Sequence, residues 1–85
     1  FERHNETDEV FVLLEGACTL YIGHGGAAPD PIEQLVMEKQ KLYNVKRGVW
    51  HNLTAVPGTS LLIVENTDTT DANSDYFPVT PEMLP

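Results

Sequence analysis

Apolar residues in this chain come in runs too short for helices, and turn residues punctuate almost every run. Residues 10–14 (Val-Phe-Val-Leu-Leu) end at Glu15-Gly16, and 17–22 (Ala-Cys-Thr-Leu-Tyr-Ile) end at Gly23-His24-Gly25-Gly26. Residues 32–37 precede the charged turn Glu38-Lys39-Gln40-Lys41. Residues 42–45 lead into Lys46-Arg47-Gly48, 51–56 stop at Pro57-Gly58, and 61–66 close the series. Closely spaced runs rich in β-branched and aromatic residues, bounded by Gly, Pro, Asn and Asp, mark an all-β barrel or sandwich. Only 32–41 competes as a helix, and it reads better as strand and turn. The tight Glu15-Gly16 junction predicts that the first two runs form a hairpin.

Eighty-five residues fit one domain, with a core over 1–66 and a loop and tail over 67–85 that adds an edge strand at 76–79. A core in so short a chain is thin. The run at 10–14 is apolar on both faces, with Phe11 and Leu13 on one and Val10, Val12 and Leu14 on the other. A small barrel buries only one face of a strand, so a cover for the second is expected: a homodimer interface or chain preceding Phe1. The polar–apolar pattern is already under way at Phe1, which points to a missing N-terminal strand.

Thirteen acidic and five basic residues leave a net charge of −8. That argues against nucleic acid, which is held by Lys and Arg on phosphates, and against anionic membrane surfaces. No run approaches the ~20 apolar residues of a membrane span and no signal peptide is visible, so a cytoplasmic location is expected. The one cysteine, Cys18, excludes an internal disulfide and a multi-cysteine zinc site, and its apolar surroundings predict a buried thiol.

The chemistry is concentrated in Glu2-Arg3-His4-Asn5-Glu6-Thr7-Asp8-Glu9 and in Lys46-Arg47-Gly48-Val49-Trp50-His51. Glu2 and His4 share a face if extended, whereas His4 and Glu9 fall on opposite faces of an unbroken strand. The polar residues between them favour a bend, which would return Glu9 to face His4, with Phe11 and Leu13 below it. His51 is in phase with Leu53 and Ala55, again an inward set. Two imidazoles and one or two carboxylates can then converge at the mouth of an apolar barrel, a donor set suited to divalent Mn, Fe, Ni, Zn or Cu.

These residues resemble the two motifs of the small single-domain cupins. The first motif reads Gly-x5-His-x-His-x3,4-Glu-x6-Gly, and His4-x4-Glu9-x6-Gly16 matches its second half. The second reads Gly-x5-Pro-x-Gly-x2-His-x3-Asn, and Gly48-x2-His51 matches its centre. The likeness runs from Glu2 to about Val64. It implies a double-stranded β-helix, or jelly-roll, barrel with Glu2, His4, Glu9 and His51 as ligands of a divalent metal (Mn, Fe, Ni or Zn). It also implies a small polar metabolite at the mouth, a metal-dependent isomerase, lyase or dioxygenase activity, and a homodimer. Four positions depart from the pattern: Glu2 for histidine, Gln40 for glycine, Lys46 for proline and Ala55 for asparagine. Glu2 matters most, since two carboxylates favour harder ions such as Mn or Fe, or else mark a decayed metal site in a ligand-binding or sensor protein.

Simpler readings stand beside these. Glu9 would be a rim carboxylate paired with Arg3 or Arg47, and His51 a partly buried histidine bonded to backbone. Tyr43 and Trp50 read first as packing residues and second as the apolar walls of a ligand site that Phe11 would floor. His24 reads as an exposed loop residue. No nucleophile elbow or phosphate-binding glycine loop occurs.

Overall fold

The computed structural model describes residues 1–66, 69 and 71–85, without the side chains of Asp71 and Pro81. Eight strands form among these residues: β1 Glu2–His4, β2 Glu9–Glu15, β3 Cys18–Gly23, β4 Ile32–Val36, β5 Leu42–Val45, β6 Trp50–Ala55, β7 Ser60–Glu65 and β8 Ser74–Tyr76. Short 3-10 turns at Asp71–Asn73 and Pro81–Met83 are the only helical pieces among the described residues, and neither is long enough to cross a membrane. The strands make two antiparallel sheets, one ordered β4-β3-β6-β1-β8 and the other β5-β2-β7. Phe11, Leu13 and Val45 of the smaller sheet meet Cys18 and Leu20 of the larger, and Met37 completes the core between them.

The predicted strands are present, but one connection differs. β2 and β3 do not pair. β2 lies between β5 and β7, and β3 between β4 and β6. Gly16, at φ +89°, carries the chain from one sheet to the other instead of folding it back. A Cβ there would stand 2.8 Å from Thr59 Cα, so the crossing admits no side chain. Gln40 is the one non-glycine residue at positive φ (+61°) among those described, and its N–H donates to the Leu13 carbonyl at 2.9 Å. It occupies the place where the cupin motif has glycine.

The edge strand forms at 74–76, ahead of its expected place, and pairs with β1 through Arg3↔Asp75 and His4↔Ser74. Thr67, Asp68 and Thr70 of the expected 67–75 loop lie outside the described residues. Cys18 is a buried free thiol, and burial raises its pKa. The inner face of β2 is buried at Glu9, Phe11 and Leu13. Its outer face joins an apolar surface in which Leu14, Leu42, Leu62 and Val64 are 44–63% exposed. Register places Val12 between Leu42 and Leu62, and Val10 beside Val64.

Candidate metal centre

β1, β2 and β6 each bring part of one cluster. Glu2 and His4 point inward from β1, Glu9 from the start of β2, and His51, the register partner of Glu2, from β6. The bend at 5–8 takes the chain from the larger sheet to the smaller. Backbone bonds pin it, from Asn5 N–H to the Asn73 carbonyl (2.8 Å) and from Gly48 N–H to the His4 carbonyl (2.7 Å). Asp8 accepts the Arg47 N–H at 2.8 Å, and the buried Thr7 hydroxyl pairs with that of Thr69 at 2.8 Å. Glu9 thereby comes to face His4, as the odd spacing of the two residues requires.

One ligand atom from each of Glu2, His4, Glu9 and His51 lies within 4.8 Å of the others. Glu9 Oε1 is 3.0 Å from His51 Nε2 and 3.2 Å from His4 Nε2, and Glu2 Oε1 is 3.6 Å from both imidazole nitrogens. Donors ~2.1 Å from a common ion stand about 3.0 Å apart at right angles and about 3.4 Å apart in a tetrahedron. The four atoms therefore need little movement to share one ion. His4, Glu9 and His51 are buried, while Glu2 is about 40% exposed and opens the cluster toward solvent.

The imidazoles are oriented from behind. His51 Nδ1–H donates to the Val49 carbonyl at 3.1 Å, which leaves Nε2 to face Glu9. His4 Nδ1 is bonded to Ser74 Oγ at 2.8 Å, and its Nε2 is buried with no hydrogen-bond partner despite the nearby Glu9 oxygen. An unsatisfied buried nitrogen costs on the order of 1–3 kcal/mol, and an ion bound to it would remove that cost. The second contact of each ring is the arrangement that fixes metal-binding histidines.

Burial opposes ionisation of Glu9, but hydrogen bonds from His51 and Glu65 and the charges of His51 and His4 outweigh it and hold the carboxyl below its ordinary pKa. Burial likewise opposes charge on His51, but the Glu9 hydrogen bond, the Val49 carbonyl and the charges of Glu9 and Glu2 raise its pKa. Glu65, opposite Glu9 on β7, is raised by its hydrogen bond to Glu9, by partial burial and by the Glu9 charge. Without a metal, the 3.0 Å hydrogen bond between Glu9 and His51 lowers the one pKa and raises the other.

Two hollows of about 310 and 340 Å³ flank the cluster and share Glu2, Glu9, Ile63 and Tyr76 as walls. Phe11 lines the first, with its ring centroid 5.9 Å from that of His51. Tyr43 lines a separate hollow with Leu35 and Lys46, and its hydroxyl accepts the Glu38 N–H at 2.9 Å. Trp50 alternates with His51 on β6 and turns its 3%-exposed ring to the other side. There the indole N–H donates to the Gly26 carbonyl, Arg3 lies 4.4 Å above the ring, and Phe77 packs edge-on.

Glu9 is not the rim partner of an arginine: Arg3 bonds Asp75 at 2.9 Å and also donates to the Gly26 carbonyl. His24 is half exposed and bonds Glu33 at 2.8 Å. Ser74, Glu65 and Tyr76 were not singled out by sequence. Glu65 carried a signal, being acidic and in phase with the inward Leu61 and Ile63. Ser74 carried none, as one of several polar residues in a polar stretch.

No protein-family model matches the chain, and comparison with curated proteins finds no match.

Proposed function

We propose that this chain is a cupin-type barrel that holds a divalent metal on His4, Glu9, His51 and Glu2 and presents it to a small polar molecule at the barrel mouth. The observation that carries this reading is the buried, unpartnered His4 Nε2, aimed at three other donors spaced for one ion. Glu2 and Glu9 together balance a 2+ charge, and two carboxylates with two imidazoles suit Mn or Fe better than Zn. A bound ion would polarise a carbonyl or hydroxyl of the ligand. His51 would hold its ring orientation through the Val49 carbonyl, and Glu9 its carboxylate through Glu65. The buried Phe11 ring would exclude water from below. On this reading the protein is a metal-dependent enzyme of the isomerase, lyase or dioxygenase kind.

A second reading, a non-catalytic binder or sensor, is favoured by the His51–Glu9 hydrogen bond, which satisfies both groups with no ion present. Elemental analysis of protein purified without chelator separates the two. One equivalent of transition metal, lost in His51→Ala while the fold is retained by circular dichroism, supports the metal centre. Protein that stays metal-free after Mn, Fe, Ni and Zn are offered overturns it.

A further inference from the structure

We propose that the molecule bound at the mouth is a small organic amine in its protonated form, an ammonium group on an apolar body, and not a carboxylate or phosphate ester. The proposal deepens the reading of this mouth as a ligand site, but it rests on the walls and not on which ion is held. Among the described residues, every charged side chain lining the two hollows, other than the cluster imidazoles, is a carboxylate: Glu2, Glu9 and Glu65. None of the five Lys and Arg residues lines either one. Arg3 is taken by Asp75, Gly26 and Trp50, Lys39 by Glu15 and Lys41 by Glu38. Lys46 lines the Tyr43 hollow on another part of the molecule, and Arg47 belongs to the turn bonded to Asp8.

A divalent ion cancels two of the three carboxylates and leaves the third over. With no ion, the surplus is larger. Without the ion an anionic ligand would bring like charge to Glu2 and Glu65, whereas an ammonium makes charge-assisted hydrogen bonds there, and with the ion bound Glu65 still offers that bond. The remaining walls say that the cation is organic. Phe11, Leu53, Ile63 and Tyr76 offer apolar and ring surface, and a cation beside an aromatic face gains further attraction. The volumes, about 310 and 340 Å³, suit a ligand of one ring and a short arm. His4 lines the second hollow, and its buried Nε2, which has no hydrogen-bond partner, is turned to the Glu9 and Glu2 carboxylates that line it too.

Calorimetric titration with three probes of one shape tests this: benzylammonium, benzyl alcohol and benzoate at pH 7, on chelator-treated protein and on Mn-treated protein. Benzylammonium is expected to bind saturably in both, and on chelator-treated protein about tenfold tighter than benzyl alcohol, with benzoate weakest. Glu65→Gln, at an exposed strand end, should cut the benzylammonium preference about threefold and leave benzyl alcohol unchanged. Benzoate binding chelator-treated protein as tightly as benzylammonium overturns the proposal, and so does the absence of saturable benzylammonium binding. Charge selectivity that persists in a protein that takes up no Mn overturns the metal reading alone.

Discussion

Ser74 Oγ stands 2.8 Å behind His4 Nδ1, and the Val49 carbonyl 3.1 Å behind His51 Nδ1. The two supports differ in how they can be tested. A carbonyl cannot be removed by mutation, but Ser74→Ala removes the first support and leaves the ligands intact. It should weaken Mn binding by about 10- to 100-fold while lowering stability by only about 1 kcal/mol. Competition titration and urea unfolding check the two effects separately. The Glu9–His51 pair contributes to the pH response of chelator-treated protein at both ends. The Glu9 pKa lies below its ordinary value of 4.5, so its contribution is present above that pH and lost as pH falls through the folded value. The His51 pKa lies above its ordinary 6.5, so its contribution is full below 6.5 and lost as pH rises through the folded value. Melting temperature should therefore peak between these limits, and Glu9→Gln should flatten the curve at both ends.

At the scale of the elements, strands were legible because each leaves a local signal: alternating or continuous apolar runs and the glycines and prolines that end them. The pairing of strands was not. Glu15-Gly16 has the composition of a hairpin turn, but it delivers β3 to the opposite sheet, since the partners of β2 come from 42–45 and 60–65. Nothing near residue 16 records those partners. The His4–Glu9 bend was legible for the opposite reason: only a turn between them could bring an odd-spaced pair to one face. A side chain in the left-handed region costs about 1–2 kcal/mol relative to glycine, so Gln40→Gly should stabilise the protein by about 1 kcal/mol in urea unfolding. Its N–H bond to Leu13 would remain. Gly16→Val, with Thr59 in the way, should destabilise it by about 2 kcal/mol or more.

For the whole molecule, the sequence predicted that β2 would need a cover on its outer face, and the exposed Leu14, Leu42, Leu62 and Val64 define the surface involved. The partner proposed for it is a second copy. The face holds no charge at these positions, so two strongly acidic chains can meet there without repulsion, and a two-fold axis would set each patch on its twin. Light scattering should give twice the chain mass at micromolar concentration. Leu62→Lys, pointing outward from β7, should return it to the chain mass without changing metal content.

The hydrogen bond between His4 and Ser74 joins residues 70 apart in sequence. A ribosome delivers His4 long before Ser74, and β1 before the β6 and β8 strands that flank it. During synthesis the His4 imidazole therefore has neither its neighbours nor its orienting hydroxyl. Metal capture on the reading given above is then a late event, gated by completion of the larger sheet. A ribosome-stalled chain ending before β8 should exchange Mn freely, where the released protein retains it.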